Sequence, residues 1–169
     1  MEVLFFILVL LGLAILALSL LGRKGVPGAG ETFPYRLKGS VLTPAERSFL
    51  GVLERVVPEG VRVWPKVRLV DFLLLEAVGK DRQAALNRVV AKHVDFLLVR
   101  AQDARPLLAI ELDDQSHLRK DRQERDRFLE ALFRQVGLPL VRVRVKEGYS
   151  PEELRRLVEA HLRKEEGAK

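Results

Sequence analysis

The sequence predicts an α/β fold, one mixed sheet flanked by helices, carried behind a single N-terminal transmembrane helix. Three observations predict it. Residues 3–22 run for 20 positions without a charge. Helix starts stand at Thr43 and Ser150, and between them lie four short apolar or β-branched runs. The chain has 169 residues, 29 Lys and Arg against 23 Asp and Glu, and no cysteine. Without its first 22 residues, 169 − 22 = 147 remain, the size of one ordinary domain. That excludes a multidomain enzyme and a multi-pass transporter. The missing cysteine excludes a disulfide framework, a thiolate zinc site and a cysteine nucleophile.

The first run, VLFFILVLLGLAILALSLLG, would rise about 30 Å as a helix, the depth of a hydrocarbon core. A cleaved signal peptide fits less well, because the run is long and the N-terminus carries Glu2 and no basic residue. Arg23 and Lys24 come directly after it, so the positive-inside rule predicts a single-pass inner-membrane protein with its C-terminal domain in the cytoplasm. Residues 23–40, with Gly25, Gly28, Gly30, Gly39, Pro27 and Pro34, read as a flexible linker, and residues 41–169 as the domain. All 29 basic residues lie beyond residue 22 with 22 of the acids, a formal +7. This excess suits phosphates of nucleic acid or anionic lipid. Equally, Arg23, Lys24, Arg36 and Lys38 suit a positive-inside flank.

Within the domain, Thr43 reads as an N-cap, Pro44 as the first turn and Glu46 as the closing residue of a capping box. Phe49, Leu50, Leu53 and Val57 recur at helical spacing, and Pro58 with Gly60 ends the helix. Residues 61–70 alternate and form a strand whose Pro65 requires an edge or a bulge. Residues 71–93 hold one or two short helices, the second running through AALNRVVAKH. Two nearly continuous apolar runs, 94–100 and 106–112, are strands joined by the turn-like AQDAR. Residues 121–136 form a helix that buries Phe128, Leu129, Leu132 and Phe133 and stops at Gly137. Residues 138–145 are a further strand, and a second capping box at Ser150–Glu153 starts a helix to about Glu165.

Two carboxylates interrupt the apolar strands, Asp95 and Glu111. A buried strand accommodates a carboxylate only if something compensates for its lost hydration. In a hairpin centred on Asp103, opposed residues sum to 206 and Asp95 faces Glu111, their Cβ atoms about 5 Å apart. An odd-length turn keeps the two on one face; an even one separates them. Two such carboxylates repel unless they share a proton or a cation. Asp113 joins their face if the strand continues, and three converging acids suit an oxygen-ligand Mg²⁺ or Mn²⁺ site. The blander reading pairs Glu111 with Arg100, Arg122 or Arg125 and leaves Asp95 at a strand start near solvent. The adjoining ELDDQSHLRKDRQERD supplies Gln115, His117, Lys120, Arg122 and Arg125, a polar density suited to binding and cutting a phosphodiester. Arg122 and Arg125 share a helical face. By itself His117 reads as a surface-loop histidine, and His93 and His161 read as helix-surface residues.

The order αβββαβ, with Asp95 on the second strand and Glu111-x-Asp113 on the third, resembles the restriction-endonuclease-like PD-(D/E)XK nuclease superfamily. The string KHVDFLLV…PLLAIELDDQSH…DRQERDRFLEALFRQVGLPLVRVRV is similar to an uncharacterised bacterial domain-of-unknown-function group near the very-short-patch-repair-like endonucleases. The likeness covers about residues 40–145. It implies a restriction-endonuclease-like core with Asp95 and Glu111 as metal-binding acids and the Leu112 carbonyl as a further ligand. Glu46 matches the acid often found on the first helix. Asp113 departs from the pattern, standing where the motif has lysine; Gln115, His117 or Lys120 would supply the missing function. The expected catalytic set is Asp95, Glu111, Asp113, Gln115 and His117. Asp95, Glu111, Asp113 and Leu112 would hold the metal, and Lys120, Arg122 and Arg125 would contact nucleic acid, with DNA favoured.

Three functions are compatible with these residues. The first is a membrane-anchored, Mg²⁺- or Mn²⁺-dependent nuclease in which metal-activated water attacks a phosphodiester. The second is a catalytically inactive nucleic-acid- or protein-binding module on the same fold. The third is a membrane-associated scaffold whose acids are structural.

Overall fold

The computed structural model describes residues 2–21, 32–113 and 120–166, without the side chains of residues 3, 4, 8, 16–21, 120–123 and 164–166. The chain divides into two compact units, Met1–Gly39 and Ser40–Lys169. In the first, Glu2–Leu21 forms helix α1. The transmembrane expectation is corrected: among the described residues no helix is long and apolar enough to cross a membrane. Of the expected linker, residues 23–31 lie outside the described residues, while residues 32–40 are irregular and exposed.

The second unit begins with α2 (Pro44–Val56), capped as the sequence predicts. The Glu46 N–H donates to Thr43 Oγ1 at 3.3 Å and the Thr43 N–H donates to Glu46 Oε2 at 2.8 Å, satisfying two otherwise orphaned amides. Beyond it come β1 (Val61–Arg68), α3 (Leu69–Phe72), α4 (Asp81–Val89), β2 (His93–Arg100), β3 (Pro106–Asp113), α5 (Lys120–Val136), β4 (Leu140–Arg144) and α6 (Pro151–Glu166). The first strand is two residues shorter than expected because Leu69 turns in, fully buried, and donates its N–H to Lys92 O at 2.9 Å. His93 is the first residue of β2 and not a helix-surface residue, because α4 ends at Val89. Gly137, at φ 71, closes α5: the Leu138 N–H reaches Phe133 O and the Gly137 N–H reaches Arg134 O, a Schellman pattern that favours glycine.

The four strands form one mixed sheet in the order β1-β2-β3-β4. The first two pairings are antiparallel and β3–β4 is parallel, with α5 as the crossover. β1 is thus an edge, where Pro65 leaves no interior ladder bond unmade. Apolar residues cover both faces. Phe49, Leu53, Phe96, Leu98, Ile110, Leu154 and Val158 pack together beneath α2 and α6. Leu97, Val99, Ala109, Leu129 and Phe133 pack beneath α5. Burial on both sides explains why β2 and β3 read as near-continuous apolar runs.

The β2–β3 register follows the expected sum of 206 at Phe96↔Ile110, Leu97↔Ala109 and Leu98↔Leu108. The loop, however, is even in length. Arg100 N–H donates to Arg105 O at 2.9 Å around the four residues 101–104, with Ala104 left-handed at φ 58. A register shift between Leu98 and Val99 absorbs the extra step. The open half of the hairpin therefore has the phase of an odd loop, and Asp95 falls opposite Glu111.

A second irregularity sits in β1. Lys66 has φ 56, a left-handed conformation that costs a non-glycine residue about 1–2 kcal/mol. Its neighbours pair regularly, Pro65↔Phe96 and Val67↔Val94, so Lys66 lies across from Asp95. Here both strands exchange faces. Val63 and Phe96 pack on the α2/α6 side, whereas Val67 and Val94 pack on the α5 side, although strict alternation would keep each pair together.

Candidate functional site: an acid–base cluster where the strands exchange faces

Lys66 is delivered by that exchange into a nest of acceptors. Its ammonium makes an ion pair with Glu46 Oε1 at the start of α2. It donates to Asp95 Oδ1 at 2.8 Å and lies 3.3 Å from His93 Nε2. An ammonium only donates, so the imidazole nitrogen at this contact is the acceptor. Asp95 is held from its other side as well, its Oδ2 accepting the Leu112 N–H at 2.8 Å. Two strand neighbours thus fix both oxygens of a side chain that is only 14% exposed.

The protonation of the group follows from these contacts. Burial pushes the Glu46 carboxyl up, but hydrogen bonds from Lys66 and the Thr43 backbone outweigh it and hold the group below its ordinary value. Burial likewise works against the Lys66 ammonium, yet Asp95 and Glu46 hold it above its ordinary value. Burial and then the adjacent Lys66 charge push His93 down, which keeps its ring neutral near pH 7.

Glu111 is the exception among the acids. Arg125 from α5 donates to Glu111 Oε2 at 3.1 Å, but the carboxyl is nearly sealed from solvent and its Oε1 has no hydrogen-bond partner among the described residues. Burial, with Asp95 close by, raises its pKa to about 7 against the opposing pull of Arg125 and Arg142. Arg142, opposite Glu111 on β4, contacts Asp113 Oδ1 at 3.3 Å and Asp126 Oδ1 at 3.1 Å. Its Nε and Nη2 are buried without hydrogen-bond partners among the described residues. The result is a row across all four strands, Lys66, Asp95, Glu111 and Arg142, with cations at the edges and acids in the middle.

Of the site residues predicted from sequence, Asp95, Glu111 and Leu112 meet here, Leu112 through its amide. Asp113 faces Arg142. Arg125 turns onto Glu111, as the blander reading had it, and Arg100 pairs with Asp103 instead. Gln115 and His117 lie outside the described residues; Lys120 and Arg122 belong to α5, but their side chains are not described. Among the described residues no group of three or more His, Cys, Asp or Glu side chains is arranged to hold a metal ion. Sequence reasoning missed Lys66, His93 and Arg142. Lys66 shares its parity with Arg62 and Arg68 and so reads as an outward residue of an edge strand; the one signal against that is the preceding Pro65.

These elements define an α/β protein whose mixed sheet carries a paired-carboxylate, lysine-bridged cluster at the open end of its central hairpin. The chain belongs to DUF2726, a family of proteins of unknown function, whose family model matches residues 38–161. No curated protein and no solved structure matches it.

Proposed function

We propose that the cluster is a divalent-metal site for hydrolysing nucleic-acid phosphodiesters, on a fold related to the PD-(D/E)XK nucleases. The observation that carries the reading is the buried Oε1 of Glu111 beside Asp95, without a hydrogen-bond partner among the described residues, with the Glu111 pKa raised to about 7. A buried carboxylate oxygen without a partner is costly unless it has a task or a ligand. Hard oxygen donors suit Mg²⁺ or Mn²⁺, so the donor chemistry fits. Asp95 and Glu111 would hold the ion, which when bound supplies Lewis acidity and a water of lowered pKa. The chain's own groups do the rest. The Leu112 amide orients Asp95, Arg125 offsets the charge of Glu111, and the neutral His93 ring, 42% exposed, accepts from Lys66 beside the acids. The formal charge of +6 favours a polyanionic substrate such as DNA.

The test is cleavage of supercoiled plasmid DNA by the full-length chain with Mn²⁺ or Mg²⁺, alongside calorimetric Mn²⁺ titration. The expected result is metal-dependent nicking that Glu111→Gln lowers about 1,000-fold. Cleavage unchanged in that variant, or none with any metal, overturns it.

A second reading, a non-catalytic binding module, draws on a different observation. Lys66 already neutralises Glu46 and Asp95, and Arg125 and Arg142 attend Glu111 and Asp113. Metal-independent DNA binding whose log affinity falls against log salt, with no cleavage, would favour it.

A further inference from the structure

We infer that Lys66 is the lysine of this site, a residue supplied from β1 that shares Asp95 with the bound metal, offers its remaining N–H to the substrate phosphate, and thereby sets both metal affinity and turnover. The inference rests on the metal-site reading above and goes beyond it by assigning a residue that the third-strand pattern does not contain. Three observations carry it.

The first is backbone geometry. Lys66 is one of two described non-glycine residues with positive φ, and it lies inside a strand, where the other, Ala104, lies in a loop. A strained residue in regular structure persists only when its surroundings fix it. Here the fixing contacts are the side chain's own, to Glu46 on α2 and Asp95 on β2. Without the left-handed turn, strand alternation would aim Lys66 away from them.

The second is the count of donors. An ammonium has three N–H bonds. Two meet carboxylates, and the third is directed toward His93 Nε2 at 3.3 Å, the longest and only uncharged contact of the three. That third position is the one a phosphate oxygen would take, since trading a neutral ring for an anion strengthens the bond. Lys66 is 23% exposed, so the position is reachable from solvent.

The third is competition. The Asp95 oxygen that Lys66 holds, Oδ1, is the one left over once Oδ2 accepts the Leu112 amide. A cation entering between Asp95 and Glu111 shares the Asp95 carboxylate with the ammonium. Two positive charges on one carboxylate weaken each other's hold. Lys66 therefore steadies the acids in the metal-free protein and lowers their affinity for metal. Removing it should affect binding and turnover in opposite directions, which a lysine serving only to support the fold would not do.

The experiment compares full-length wild type, Lys66→Met and Lys66→Arg by calorimetric Mn²⁺ titration and by plasmid cleavage. Lys66→Met should bind Mn²⁺ about tenfold more tightly. Its cleavage at saturating Mn²⁺ should fall about 100-fold. Lys66→Arg, which retains the charge, should keep Mn²⁺ affinity within about threefold of wild type. Unchanged or weaker Mn²⁺ binding by Lys66→Met overturns the inference, as does cleavage within about threefold of wild type. Should Lys66→Met lack a cooperative thermal transition, Glu46→Gln replaces it. That change frees Lys66 to hold Asp95 alone, so Mn²⁺ binding should weaken several-fold, and unchanged binding overturns the inference. The arms separate the two claims. If wild type binds Mn²⁺ but cleaves nothing, the nuclease reading fails while tighter Mn²⁺ binding by Lys66→Met still upholds the competition at Asp95. If no protein binds Mn²⁺, both fail.

Discussion

Two arginine–carboxylate pairs stand at opposite ends of the β2–β3 hairpin. At the loop, Arg100 and Asp103 meet through two 2.8 Å hydrogen bonds, both side chains well exposed. At the open end, Arg125 and Glu111 meet through one bond of 3.1 Å, with Glu111 only 7% exposed. The carboxyl shifts are opposite in sign. Arg100 holds Asp103 below its ordinary value, whereas Glu111 rises to about 7 despite its arginine. An ion pair alone therefore does not fix a carboxylate's protonation. Lost hydration and a second acid, Asp95, outweigh one arginine in the interior, while in water the same partner prevails with little opposition.

The largest expected effect that would break this contrast is in the pH dependence of stability. Glu111 has an ordinary pKa of 4.5 that folding raises to about 7, so the folded state holds this proton more tightly than the unfolded state. Its favourable contribution is complete below pH 4.5, declines as pH rises through the interval to 7, and is gone above it. The span corresponds to an upper bound on the order of 3 kcal/mol. Relative to wild type, Glu111→Gln should gain stability steadily between pH 4.5 and 7 in denaturant melts. A constant difference across that range would show that burial does not dominate at Glu111. Arg125→Ala should extend the window above pH 7, because it removes one of the two charges that oppose the rise.

A smaller effect concerns the acid that reaches the cluster through a helix cap. Thr43→Ala removes the acceptor for the Glu46 N–H and should cost about 1 kcal/mol of stability, read from the urea midpoint. Because Glu46 also pairs with Lys66, the same variant should loosen the cluster, seen as faster hydrogen exchange at the Leu112 amide. At the bottom of the scale, Arg100→Ala should leave the thermal midpoint unchanged, since exposed pairs contribute little. A clear loss there would mean that the loop pair supports the hairpin after all.

Much of the second unit was legible in the sequence because its signals are local. The Thr43–Glu46 box, Gly137 as a helix stop and the apolar runs of β2 and β3 each announce themselves within a few residues. The cap at Ser150 is only half of the expected box: Ser150 Oγ accepts the Glu153 N–H at 3.4 Å, while its hydroxyl turns to Glu152. The opposition of Asp95 and Glu111 was legible for an incomplete reason, since the loop is even and the shift at Leu98/Val99 restores the phase. Lys66 was not legible. Its role depends on a backbone sign change and on a partner strand 29 residues away, and neither leaves a mark in hydrophobic periodicity. For α1 the uncharged run predicts a span, whereas among the described residues no helix is long and apolar enough to cross a membrane.

The break at Pro65–Lys66 has a consequence for how the molecule meets its neighbours. β1 borders the sheet, and a bordering strand with an uninterrupted row of amides invites a second chain to extend the sheet. Pro65 has no amide hydrogen to offer, and the left-handed residue after it bends the row out of line. On the far border, β4 is only five residues long. The turn that brings an ammonium to the acids also leaves the sheet without a straight edge for another copy to join, so loss of the Lys66 conformation would favour self-association.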